Sequence, residues 1–124
     1  MKKILVVEDE IAISMVLKAY LEREGFDVVQ VYDGLKAIPV FEETKPDLVL
    51  LDVMLPDGDG FDILWKLRRH RKYQDLPVVM LTARADAEDI GKGLRLGADG
   101  YVTKPYSKNL LAGVIEKVLK HVQS

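Results

Sequence analysis

Five short apolar runs, each followed by a stretch with helical spacing, constrain this chain more than any other feature. Residues 4–7 (Ile-Leu-Val-Val) form a continuous, β-branched-rich run. Such a run marks a strand buried on both faces, where no polar residue has to alternate outward. Residues 28–31 form a weaker second run, 48–51 a third, 78–81 a fourth, and 101–103 a short fifth that belongs near a sheet edge. Between them lie helical patterns. In the first, Ile13, Leu17, Tyr20 and Leu21 share one face, and Gly25 stands where a C-terminal cap belongs. The second spans residues 35–43 with Pro39 inside it, which predicts a kink or a late start. The third spans 60–71, the fourth 87–96 before Gly97, and the last 108–121. Strands alternating with helices imply βαβ units, parallel pairing and right-handed crossovers. The expected fold is α/β, a doubly wound five-stranded parallel sheet with five helices.

The 124 residues suffice for one domain with a proper core, and 48% hydrophobic with 31% charged residues is the balance of a soluble globular protein. The formal net charge of -2 implies neither a general nucleic-acid binder nor a membrane-surface protein. With no cysteine, disulfides and thiolate metal sites are excluded, which is compatible with the cytoplasmic location expected. The apolar start is broken at Glu8-Asp9-Glu10, short of a signal-peptide core. No segment approaches the ~20 apolar residues of a membrane span. The last helix runs to within a few residues of Ser124 with no linker composition behind it, so one domain over residues 1–124 is expected.

The chemistry is expected where the strands end. After the first run come Glu8, Asp9 and Glu10; after the third, Asp52; after the fourth, Thr82; after the fifth, Lys104 and Pro105. Open parallel sheets bind ligands at the carboxyl ends of their strands. If the first and third strands are neighbours, Glu8, Asp9 and Asp52 share a cleft and repel one another. A hard divalent cation relieves that repulsion: magnesium binds through one or two carboxylates and takes further ligands from water and phosphate oxygens. Lys104 adds a fixed positive charge. A carboxylate nucleophile, a cation, a hydroxyl and an ammonium make a phosphoryl-transfer site, with Asp52 attacking to become an acyl phosphate. Taken singly, each residue has a plainer explanation. The three acids would favour a helix N-terminus, Asp52 a turn, Thr82 a cap, and Lys104 the solvated surface. Their convergence on one sheet edge favours the joint reading.

These residues resemble the receiver domain of bacterial two-component response regulators. The resemblance rests on Val6-Val7-Glu8-Asp9-Glu10, Asp52-Val53-Met54-Leu55-Pro56 with Asp59-Gly60, Leu81-Thr82-Ala83, and Gly97-Ala98-Asp99-Gly100-Tyr101 with Lys104-Pro105. It covers essentially the whole chain and implies the strand order 2-1-3-4-5. By the resemblance, Asp52 is the phosphoacceptor and Asp9 the main acidic ligand of Mg2+ (or Mn2+). Glu8 is its partner, acting largely through water, and Met54 supplies a backbone carbonyl to the metal. Thr82 and Lys104 bind the phosphoryl oxygens, Thr82 and Tyr101 form a switch pair, and Lys104-Pro105 is a cis bond. The implied donor is a phosphohistidine on a sensor histidine kinase or phosphotransfer protein. The implied output is a change in the surface of the fourth helix, fifth strand and fifth helix, read by a protein target or a second copy. A domain cut from a longer DNA-binding or enzymatic regulator is the alternative organisation.

Several positions depart from that pattern or add to it. Leu110 and Val114 stand where regulators of the winged-helix transcription-factor class carry an acid and an arginine for intersubunit salt bridges, and Gly100 replaces an acid before the aromatic. The apolar stripe Leu110, Leu111, Val114, Ile115, Val118, Leu119 and Val122 is wider than one sheet face requires, so a hydrophobic contact is expected there instead. Ile11, Ser14 and Met15 fall in the kinase-docking region. Met54 and Arg84 occupy positions that tune autodephosphorylation, where a bulky Met54 hinders the attacking water. The basic stretch of residues 66–72 reads as a solvated helix end and not as a nucleic-acid site. Three rival functions fit less well. A dehalogenase-type phosphatase needs a second Asp at position 54. A flavodoxin-like cofactor binder needs a phosphate loop where the three acids stand. A degenerate receiver would lack Asp52, Thr82 or Lys104. No turnover of external substrates is expected.

Overall fold

The computed structural model describes residues 2–123, with side chains described for residues 2–120. The side chain of Val122, in the last-helix stripe, therefore lies outside those described. Five parallel strands form the main sheet: β1 (Lys3–Val7), β2 (Asp27–Val31), β3 (Leu48–Leu51), β4 (Val78–Thr82) and β5 (Gly100–Thr103). Their order is β2-β1-β3-β4-β5, so the chain reverses direction across the sheet between β1 and β3. The helices are α1 (Ile11–Arg23), α2 (Ala37–Thr44), α3 (Gly60–Arg69), α4 (Ala87–Arg95) and α5 (Lys108–Gln123).

Strand alternation divides the core in two. Leu5, Val7, Val49, Leu51, Val78 and Met80 point to one face, under Phe41 of α2 and Phe61, Leu64 and Leu67 of α3. Ile4, Val6, Leu48, Leu50, Val79 and Leu81 point to the other, under Leu17 and Leu21 of α1 and Leu111, Ile115 and Val118 of α5. Both faces of the central strands are covered, which is why their sequences are apolar without alternation.

Helix boundaries follow local chemistry. Gly25 (φ 96°) and Gly97 (φ 103°) end α1 and α4. In each case the next amide reaches back five residues, Phe26 to Leu21 at 3.1 Å and Ala98 to Gly93 at 3.0 Å, closing a Schellman cap. Pro39 produces the late start: residues 34–36 form a 3-10 turn, and α2 begins at Ala37 with Pro39 in its first turn, where no amide partner is needed. The third helix is shorter than its sequence suggests. His70 is extended (ψ 127°), and the chain turns so that buried Tyr73 meets Phe41 with ring centroids 6.1 Å apart. Arg71 and Lys72 therefore lie beyond the helix.

Most of the α5 stripe is core. Leu111, Ile115 and Val118 are buried, Val114 and Leu119 pack at their margin, and, among the described side chains, only Leu110 stands out at 54% exposure. The part of the stripe that core packing leaves accessible is thus an exposed leucine beside a half-buried valine.

Candidate functional site

The strand ladders continue one residue past the strands and aim the site. The Glu8 amide donates to Val31 O (3.0 Å), that of Asp52 to Val7 O (3.1 Å), and that of Lys104 to Thr82 O (2.9 Å). Glu8 and Asp52 thus leave the carboxyl edge of the neighbouring strands β1 and β3, and Lys104 leaves the same edge at β5, with β4 between β3 and β5. Lys104 Nζ donates to Glu8 Oε1 at 2.6 Å and to Asp52 Oδ2 at 3.1 Å. The other oxygens are also engaged. Asp52 Oδ1 accepts from the Met54 amide (3.1 Å), and Glu8 Oε2 from the Glu10 amide (3.2 Å). Asp9 sits nearer solvent, and one oxygen from each of Glu8, Asp9 and Asp52 falls within 4.8 Å of the others.

Charge at this edge is unbalanced. Burial raises the Glu8 carboxyl above its ordinary range; the Lys104 hydrogen bond only partly offsets it, and the Asp52 charge adds to it. Burial would depress the Lys104 ammonium, but its bonds to Glu8 and Asp52 and their charges outweigh that and raise it. The ammonium is therefore a fixed positive charge. Three all-oxygen donors against one cation is a set that fits a small hard divalent ion.

A glycine and a side-chain cap shape the loop after β3. A Cβ on Gly60 would lie 2.1 Å from Asp52 O, so only glycine lets α3 begin this close to the site. Asp59 then caps α3, accepting from the Phe61 amide at 2.8 Å. The motif residues Asp59 and Gly60 thus set how the chain leaves Asp52.

Thr82 and Tyr101 are not hydrogen-bonded to the acids. Thr82 is buried and its Oγ1 accepts from the Arg84 amide (3.3 Å), while Tyr101 OH donates to Arg84 O (2.8 Å). The two expected switch residues therefore meet at one residue, Arg84, whose backbone links them. A backbone role of this kind leaves no trace in residue type. Burial, then Asp89 and Asp86, push the Tyr101 phenol up to about 12. Gly93 of α4 leaves room for the ring, since a Cβ there would lie 3.0 Å from it. The Lys104-Pro105 bond is cis.

Other expected positions divide. Ile11 and Met15 are exposed on α1. Ser14 is not: it is fully buried and its hydroxyl accepts from Gln30 Nε2 at 2.8 Å, so it is a packing residue and no part of an open surface. The Met54 side chain is 53% exposed. Two charged residues tie separate loops together: Arg68, which corrects the expectation of a wholly solvated helix end because its guanidinium is largely buried, and Asp57, to which the sequence reading gives no role. Arg68 bonds the loops before β4 and β5, and Asp57 bonds the loop after β2.

The family model for the response regulator receiver domain matches residues 4–116. The chain is 44% identical over 123 residues to the probable transcriptional regulator ycf27 of Cyanophora paradoxa, covering 99% of this chain and 50% of that protein. It is likewise 44% identical over 121 residues to the phosphate regulon transcriptional regulatory protein PhoB of Escherichia coli (strain K12), covering 98% of this chain and 53% of that protein. It thus spans about half the length of these relatives. Among solved structures, the BeF3-activated N-terminal receiver domain of Klebsiella pneumoniae RstA superposes with a TM-score of 0.90 at 34% identity, covering 96% of this chain and 99% of that one. The non-phosphorylated HemR receiver domain of Leptospira biflexa gives 0.88 at 34% identity, covering 96% and 94%.

Proposed function

The chain belongs to the response regulator receiver domain family, and from that premise we propose that Asp52 is its phosphoacceptor. The observation that carries this is the position of the Asp52 carboxylate, held by Lys104 on one oxygen and the Met54 amide on the other, beside two further acids. Glu8, Asp9, Asp52 and the backbone carbonyl of Met54 would hold Mg2+ or Mn2+. Such an ion supplies charge neutralisation for carboxylate and phosphoryl oxygens.

An Asp52 oxygen attacks phosphorus of a phosphohistidine on a sensor kinase or phosphotransfer protein. The P–N bond breaks and the imidazole leaves with its electron pair. Lys104 is already within bonding distance of Asp52 and shifts onto a phosphoryl oxygen, and Thr82 donates its hydroxyl to another. Thr82 and Tyr101 share Arg84, so a move of Thr82 alters the backbone that Tyr101 holds and reaches the α4–β5–α5 surface. This is a two-state shift, driven only as far as phosphate favours one state.

The rest of the reading concerns partners. Ile11 and Met15 offer the kinase an apolar contact. A protein target or second copy reads the output surface through Leu110 and Val114, and Leu110→Glu with Val114→Glu is expected to weaken that association. Residues 1–124 act as one signalling unit with no external substrate and no nucleic acid bound by this chain. No described helix is long and apolar enough to cross a membrane; the cytoplasmic placement is carried over from the family reading. The curated relatives are regulators about twice this length, so a target domain within the same polypeptide is the second reading.

Labelled acetyl phosphate tests the acceptor. Magnesium-dependent incorporation that hydroxylamine removes, and that Asp52→Ala abolishes, is the expected result. Equal incorporation in Asp52→Ala would refute the assignment.

A further inference from the structure

The loop that carries Met54 away from Asp52 does not support itself. Met54 and Leu55 pair with Asp59 and Gly58 in a two-residue antiparallel ladder, closed by Pro56 and Asp57. Positive φ among the described residues occurs only at Gly25, Lys45 and Gly97. The two turn residues therefore both have negative φ, unlike the I′ and II′ turns whose twist suits a tight hairpin. An isolated hairpin is marginal even when longer than this one. Something outside the ladder must hold its tip.

That tie is Asp57. Its Oδ1 accepts from the Gly34 amide at 2.8 Å and its Oδ2 from the Leu35 amide at 2.7 Å. These amides open the 3-10 turn that leads into α2, and they have no partner within it. Asp33 satisfies the next one, accepting from Lys36 at 3.0 Å. Close packing backs the tie. A Cβ on Gly34 would meet Ile63 at 2.9 Å, Asp57 at 3.3 Å and Leu55 at 3.4 Å, so the two loops touch backbone against side chain. A carboxylate taking two backbone donors is the stronger, charge-assisted kind of hydrogen bond. The same two bonds hold the Asp57 carboxyl below its ordinary range.

We propose that Asp57 is a positioning residue for the phosphorylation site, fixing the hairpin so that the Met54 backbone stays set for the divalent cation. Asp57 touches neither the cation nor the phosphoryl group. It acts through the ladder, tying the β2–α2 loop to the residue two positions beyond the acceptor. The inference rests on the reading of Asp52, Asp9 and Glu8 as the cation and phosphoryl site. It adds a residue at the far end of the loop and a coupling to α2. Binding free energies couple reciprocally, so a cation that favours the fixed hairpin also strengthens the Asp57 tie.

Calorimetric titration with Mg2+, well below the unfolding temperature, tests it on the wild type, Asp57→Ala and Asp57→Asn. Asp57→Ala is expected to weaken Mg2+ binding roughly tenfold, the lower end of what loss of a supporting partner does to metal affinity. Asp57→Asn keeps one acceptor oxygen and is expected to fall between. Labelling by acetyl phosphate at saturating Mg2+ should stay within about twofold of wild type, because the affected quantity is affinity. In the unmodified protein, Mg2+ should slow hydrogen exchange at the Gly34 and Leu35 amides, a measurement that needs no variant. Unchanged Mg2+ affinity in both variants, or exchange at Gly34 and Leu35 indifferent to Mg2+, would overturn the proposal. Wild-type protein that neither binds Mg2+ nor becomes labelled would instead overturn the underlying site assignment.

Discussion

At the amino-terminal edge of β4 and β5, the Arg68 guanidinium donates to the carbonyls of Tyr73 (3.2 Å), Leu76 (2.7 Å) and Gly97 (2.8 and 3.0 Å) and to Asp99 Oδ2 (3.0 Å). At the opposite edge, the Lys104 ammonium donates to Glu8 and Asp52, with Asp9 close by. Asp99 also accepts from the Val78 amide at 2.9 Å, so the first cluster pairs one cation with one carboxylate and spreads its other donors over neutral carbonyls. The second sets one cation against three carboxylates. Burial pulls the Arg68 guanidinium down, and the charges of Asp99 and Asp75 oppose that. The first arrangement is complete without any further group. The second is short of positive charge. A self-satisfied polar cluster holds loops together, whereas an unbalanced one is suited to taking up an ion and a phosphoryl group.

The largest expected effect breaks the satisfied cluster. Arg68→Ala leaves Asp99 without its cation and several carbonyls short of a donor. We expect a loss of about 3 kcal/mol in urea unfolding and a Tm lower by about 10 °C. Mg2+ should stabilise this variant and the wild type equally and so leave the difference between them unchanged. A difference that narrows with Mg2+ would mean that the two edges are not independent.

A smaller effect comes from removing Lys104. Lys104→Met leaves Glu8 and Asp52 facing each other with no ammonium between them. The metal-free protein is expected to lose about 1–2 kcal/mol. Mg2+ should stabilise this variant more than it does the wild type, because the ion replaces the missing charge. Equal Mg2+ stabilisation of both proteins would contradict the charge argument.

The smallest effect lies at Tyr101. Tyr101→Phe loses the bond to Arg84 O, worth about 1 kcal/mol. Its pH signature is more telling. A phenol raised on folding favours the neutral form. Its contribution is thus full below the ordinary phenol value of ~10 and is lost as pH rises toward about 12. Urea unfolding at pH 8 and pH 11 should show an alkaline loss in wild type that is reduced in Tyr101→Phe. Identical slopes would place the hydroxyl outside the protein.

The sheet was legible because buried parallel strands must be apolar throughout, and runs such as 48–51 have no other use in a chain of this size. Gly25, Gly97 and Pro39 marked helix ends through backbone geometry that other residues resist. The site could be read from where the strands stop, since Glu8, Asp52, Thr82 and Lys104 each follow an apolar run. The ties made by Arg68 and Asp57 could not. Each joins a charged side chain to backbone groups far off in sequence, such as Gly97 or Gly34, and backbone groups carry no residue-specific signal. The early end of α3 is also set by a distant partner: the chain turns where Tyr73 packs beside Phe41, a contact that the helical preference of Arg71 and Lys72 does not reveal. The burial of Ser14 depends on Gln30, a partner on another element, and so carries no local signal.

The most direct test of the unbalanced edge is intact mass after incubation with acetyl phosphate, with Mg2+ or with a chelator. The account predicts one adduct of about 80 Da with Mg2+, little with chelator, and none in Asp52→Ala. An unmodified wild-type protein under all conditions, or an adduct that persists in Asp52→Ala, would contradict it.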